Sequence, residues 1–188
     1  MAFPKYKSYK DSGVDWLGEI PKHWDIQRNL GLFDERKETN QPEMELLSVT
    51  IEQGVIRQSE ILTKKDSSNE DKSKYKVVCK GDLAYNKMRM WQGAIGMSDY
   101  DGIVSPAYVI LSTRNKEYSK YFHYLYRTEI FIREANRHSY GLCSDMNSLR
   151  YEDFKTIYSP IPPQDEVDRI VAFLDRTTAE IDEAIAKK

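Results

Sequence analysis

The stretch Tyr85-Asn86-Lys87-Met88-Arg89-Met90-Trp91-Gln92-Gly93 mixes cationic, amide and aromatic side chains more densely than any other part of the sequence. Read as a strand, it sends successive side chains to opposite faces. Tyr85, Lys87, Arg89 and Trp91 then share one face, and Asn86, Met88, Met90 and Gln92 the other. Lysine and arginine neutralise phosphates. Arginine also pairs bidentately with guanine, and asparagine or glutamine with adenine. The pattern fits contact with DNA, and it fits a solvated strand with cross-strand packing. A second polar cluster lies within 133–150 and holds Arg133, Asn136, Arg137, His138, Ser139, Tyr140, Ser144, Asn147, Ser148 and Arg150, with Gly141 as a hinge. A loop of this kind between two helices suits base reading, although a polar connection without a ligand has the same composition. Lys64, Lys65, Lys72, Lys74 and Lys76 would add contacts to a phosphate backbone, weakened by Asp66, Glu70 and Asp71 among them.

Patterns that carry catalysis are missing. There is no Walker-type phosphate loop and no Gly-x-Ser-x-Gly elbow. His23, His123 and His138 stand apart from one another and from cysteine at metal spacing. Cys79 and Cys143 are 64 positions apart and form no metal-ligand pair. Pro162-Pro163 lacks the preceding Asn or Asp and the following ring that an adenine methyltransferase needs. No catalytic residue, metal site or cofactor is therefore expected in this chain.

The net charge of −2 argues weakly against a nucleic-acid binder, but the charge is segregated. Residues 57–95 hold nine Lys/Arg against five Asp/Glu, and 164–188 hold four against seven. A basic middle and an acidic end suit a DNA face on one part and a protein partner on the other, and ordinary surface scatter produces such blocks too. Low cysteine use, no apolar leader in the first residues and no long apolar run predict a cytoplasmic protein without a membrane span.

These residues must be positioned by an α+β fold. Residues 1–28 read as an irregular strap, punctuated by Gly18 and Pro21 between Trp16 and Trp24, that packs on the body of the protein. Apolar, Gly-bounded segments at 45–51, 55–56, 75–78, 83–85, 93–97, 103–104 and 107–111 predict strands of a mixed sheet. The polar stretch 64–74 is a loop. Tyr118, Phe122, Leu125, Tyr126, Ile130 and Phe131 recur at helical spacing and predict one amphipathic helix over 117–136. A short helix is expected over 148–154, with Ser148 as N-cap. After Pro162-Pro163, acidic Asp165, Glu166 and Asp168 open a last helix. Ile170, Leu174, Thr177, Ile181 and Ala184 then follow at coiled-coil spacing. Such a seam predicts packing against a helix of another chain; folding back on its own domain is the alternative. The expected domains are 1–160, strap included, and a spacer helix over 161–188.

Four segments together resemble the specificity subunits of type I restriction–modification systems, the HsdS family. Residues 9–24, YKDSGVDWLGEIPKHW, resemble their opening. Residues 81–96, GDLAYNKMRMWQGAIG, look like their central motif, and Ser105-Pro106-Ala107-Tyr108 like the strand start that follows it. Ile161-Pro162-Pro163-Gln164-Asp165-Glu166, running into Ile170-Val171-Ala172-Phe173-Leu174-Asp175, is similar to the junction between a target-recognition domain and the conserved helix. The resemblance implies a non-catalytic subunit that reads half of a split site in double-stranded DNA. It implies docking to modification and restriction subunits, on which S-adenosylmethionine, ATP and Mg reside. The family carries two recognition domains and two helices, and this sequence carries one of each. The expectation is a half-length subunit that pairs with itself, or a fragment of a longer protein. An adaptor or inhibitor of a restriction system that leaves DNA unread is the competing reading, and a standalone nuclease or methyltransferase a third.

Overall fold

The computed structural model describes residues 5–61, 71–141 and 147–187. In chain order the elements are β1 (Tyr9–Asp11), β2 (Glu19–Pro21), β3 (Asp25–Arg28), α1 (Asn29–Leu32), β4 (Phe33–Glu35), β5 (Leu47–Thr50) and β6 (Gly54–Arg57). There follow β7 (Lys76–Val78), β8 (Leu83–Asn86), β9 (Ile95–Met97), β10 (Gly102–Val104), β11 (Tyr108–Thr113), α2 (Ser119–Tyr126), α3 (Glu129–Arg137), α4 (Tyr151–Phe154), β12 (Tyr158–Ile161) and α5 (Gln164–Ala186). The chain divides into two compact units, one of residues Gln27–Ser159, the other of Met1–Ile26 with Pro160–Lys188.

In the larger unit an antiparallel sheet runs in the order β4-β11-β8-β9, beside a β5–β6 hairpin and a β7–β10 pair. The central strands read as continuous apolar runs because both faces are covered. Ala84, Tyr108 and Ile110 join Leu47, Val49, Val55, Val78 and Val104 in one core cluster. Phe33, Tyr85, Phe122, Tyr126, Phe131 and Phe154 form an aromatic layer with ring centroids 4.2–5.8 Å apart in neighbouring pairs. All six are almost entirely out of solvent. Truncating such a ring to alanine costs about 3–5 kcal/mol.

The helix expected over 117–136 is two helices. Thr128 takes an extended conformation and its Oγ1 accepts from the Phe131 N–H at 3.4 Å, so it caps α3 and ends the run. The short helix starts at Tyr151, and its cap position is Arg150, not Ser148. Ser148 instead bridges to Tyr140, each accepting from the other's backbone N–H.

In the smaller unit β1 and β2 form a hairpin. Residues 5–26 group with α5 in this unit. One carboxylate ties the two segments together. Glu166, in the first turn of α5, accepts from the Tyr6 hydroxyl at 3.0 Å and Trp24 Nε1 at 2.9 Å, and pairs with His23 Nε2 at 2.5 Å. Burial pushes the Glu166 carboxyl up, but the Trp24, His23 and Tyr6 hydrogen bonds together outweigh this and hold it below its usual range. Along α5, Ile170, Leu174 and Thr177 are half-buried, whereas Ile181 is 53% exposed, Ile185 66% exposed, and Ala184 exposed. The apolar seam therefore stands open over its last turns.

Candidate nucleic-acid interface

The segment that carries the polar and aromatic residues is a strand only as far as Asn86. The chain then turns: Arg89 N–H donates to the Asn86 carbonyl at 3.0 Å, a 3-10 turn covers Met90–Gln92, and Gly93 ends it at φ 83°. A Cβ at Gly93 would lie 2.8 Å from Ile132 Cδ1, so the turn sits hard against α3. Strand alternation therefore does not govern residues 87–92.

Tyr85, expected on the DNA face, is fully buried against Phe154. It lies in the one strand of the sheet flanked by β9 and β11 and covered on both faces, so it cannot reach a ligand outside. Burial pushes its hydroxyl far up. Met90 is buried as well. Asn86 is half-buried, and its Oδ1 accepts from Met88 N–H at 3.0 Å. Lys87 is half-buried, and Arg89 and Gln92 are exposed. Trp91 is 41% exposed, with its indole N–H tied to the Met88 carbonyl at 3.1 Å, which presents the ring.

Within the second cluster, Asn136 and Arg137 belong to the last turn of α3 and not to the loop. Arg137 and His138 share Glu134, at 3.2 and 3.1 Å. Ser139 Oγ donates to the Ala135 carbonyl at 2.8 Å. Asn147 Nδ2 donates to Asn136 Oδ1 at 3.3 Å. Arg150 is exposed. Among the described residues, Lys87, Arg89 and Arg150 form no ion pair. Cations without a carboxylate partner are available to an anion. Ser144, Lys64 and Lys65 fall outside the described residues.

Two clefts border the turn. The first, about 590 Å³, takes in Asn86, Arg89 and Tyr108 together with Ser48, Thr50 and Gln53 from the β5–β6 hairpin. That hairpin is fixed by Arg127, whose guanidinium donates to the carbonyls of Ile95, Ile51 and Glu52 at 2.7, 2.9 and 2.6 Å. The second cleft, about 440 Å³, brings Lys87 and Arg150 together with Lys37 and Lys76. Sequence reading did not place Lys37, Ser48, Thr50, Gln53 or Tyr108 among the DNA-contact residues, and these line the two clefts. Thr50 and Gln53 lead into Gly54, a turn signal that was present; Lys37 carried none.

Solved structures that share this fold include three from type I restriction–modification systems. A chain of a type I R-M system, solved for its complex assembly and conformational transition, has a TM-score of 0.62 at 18% identity and covers 89% of this chain and 45% of its own. The HsdS subunit from Thermoanaerobacter tengcongensis gives 0.59 at 20% identity, with the same 89% and 45%. The type I restriction-modification S subunit from M. genitalium gives 0.56 at 12% identity, covering 87% and 41%. The fold is thus that of type I restriction–modification S subunits, and this chain spans somewhat under half the length of those it matches. Neither a family model nor a curated protein matches the sequence. Among the described residues no helix is long and apolar enough to cross a membrane.

Proposed function

We propose that the chain is a sequence-specific DNA-binding subunit of a type I restriction–modification complex, acting in the cytoplasm. The observation that carries this is the shared fold over 89% of the chain. Lys87, Arg89 and Arg150, without an ion pair among the described residues, agree with it. The unit Gln27–Ser159 reads one half-site. Lys87, Arg89 and Arg150 supply phosphate contacts, and base reading comes from some of Asn86, Gln92, Asn136, Arg137, His138, Ser139 and Asn147, with Trp91 presenting its ring beside them.

The chain itself performs no bond-making step. Modification and restriction subunits dock on it, and S-adenosylmethionine, ATP and Mg belong to them. The open seam of α5 receives a helix of a second copy or of a second recognition domain. A two-fold pair would read a palindrome interrupted by a spacer. Selecting bound duplexes from a randomised pool, with the modification subunit present, tests this reading. One recurring half-site motif is expected. Co-purification with the modification subunit and no enriched motif would instead favour an adaptor that leaves DNA unread.

A further inference from the structure

We infer that the cleft between Lys37, Lys76, Lys87 and Arg150 seats one phosphodiester of the DNA backbone, in a contact blind to base identity. This rests on the DNA-reading function proposed above and assigns one part of it to a defined place.

The four cations come from separate segments: the chain after β4, the start of β7, the turn after β8 and the residue before α4. The fold brings them together against electrostatic repulsion. Two carboxylates also line the cleft, Glu35 and Glu152, and both are occupied. Glu35 pairs with Lys37 at 3.2 Å and Lys76 at 3.8 Å, and Glu152 is held by Lys155. Lys87 and Arg150 line the cleft without an ion pair among the described residues. Lys76 sits partly buried beside them, its Nζ donating to the Tyr108 carbonyl at 2.8 Å. Burial pushes its ammonium down from its usual range, Glu35 opposes this, and Lys87 and Lys37 push it further down. An anion at this place would relieve the repulsion. A phosphodiester fits, because its two free oxygens match the forked donors of an arginine and the point charges of lysines.

The neighbouring residues on the same turn, Asn86 and Arg89, line the other cleft. One turn thus sends Lys87 to this cleft and Asn86 with Arg89 to the other, and phosphate contacts fix position while base contacts give sequence preference.

The test compares wild type with Lys37→Gln and Lys87→Gln, using a duplex pool of randomised sequence titrated with salt. Lys37 is 73% exposed, so its replacement leaves the core untouched. Each variant should lose about threefold to tenfold in affinity for all duplexes alike, and the slope of log affinity against log salt should fall by about 0.9. In wild type, a neutral methylphosphonate at one backbone position should weaken binding, and Lys87→Gln should be indifferent to it. Unchanged affinity and slope, or an altered preferred sequence, would overturn the assignment. So would binding of inorganic phosphate that Lys87→Gln abolishes while DNA affinity stays constant. Failure of the wild-type chain to bind any duplex at low salt would remove the DNA-reading function itself, and the phosphate seat with it.

Discussion

The backbone N–H of Leu149 donates to the carbonyl of Lys87 at 3.0 Å, which fastens the end of the polar loop to the cationic turn. Leu149 is itself fully buried, so the anchor is apolar as well as hydrogen-bonded. Lys87 and Arg150, distant in sequence, thereby line one cleft.

The hairpin that lines the other cleft depends on a glycine pair. A Cβ on Gly96 would lie 2.7 Å from Gly54 Cα and 3.0 Å from the Val55 nitrogen, both backbone atoms that cannot swing aside. Gly96→Ala should cost about 1–3 kcal/mol by overpacking, read as a lowered midpoint in denaturant. An unchanged midpoint would mean that the β5–β6 hairpin is not held against β9.

Asn29 sits at the centre of a buried network. Its Oδ1 accepts from Tyr126 at 2.9 Å and Ser159 at 2.8 Å, and its Nδ2 donates to the Phe154 carbonyl at 3.2 Å. Tyr126 and Ser159 also approach to 3.0 Å, so two hydroxyl protons serve three contacts, and Asn29 is the acceptor that resolves them. Asn29→Ala should destabilise the protein by about 2–4 kcal/mol, since it strands buried polar groups and opens a void. Thermal unfolding checks this; a loss below the scatter of surface substitutions would contradict the network.

The strands from β5 to β11 were legible because apolar segments are bounded by Gly54, Gly81, Gly93 and Gly102. The last helix was legible from Asp165, Glu166 and the seam of Ile170, Leu174 and Ile181. Three-residue strands such as β1, β2 and β4 leave no periodicity to read. The apolar period passes through Arg127 and Thr128 without a break, so one helix was read where Thr128 caps a second. Tyr85 was misplaced because its neighbours Asn86 and Lys87 are polar, whereas strand pairing on both sides puts Tyr85 in the core. Lys37 was invisible because its cleft exists only once four separated segments meet.

Glu166 sets an acid limit for the strap. Its folded carboxyl titrates below the ordinary 4.5, because the hydrogen bonds from Trp24, His23 and Tyr6 outweigh burial. The stabilisation is therefore complete above pH 4.5 and is lost as pH falls through the lower folded value. Glu166→Gln should weaken the strap by about 1–2 kcal/mol at neutral pH, and its stability should vary less with pH in the acid range. Limited proteolysis near residues 6–24 across pH reads this, and identical acid profiles for both proteins would contradict it.

The seam of α5 should decide association. Ile181→Asp combined with Ile185→Asp places charge on an exposed face and leaves the larger unit alone. The mass in solution should fall to that of a single chain, with the melting of Gln27–Ser159 unchanged. A mass insensitive to both changes would mean that the face receives no helix.

The central claim, that the cationic turn after β8 holds DNA, is tested most directly by salt-titrated duplex binding of wild type against Arg89→Glu. Arg89 is exposed and has no ion pair among the described residues, so charge reversal should spare the fold. Binding at least about tenfold weaker, with a shallower salt dependence, is the predicted result. Affinity and salt slope equal to wild type, in a variant that melts normally, would contradict the account.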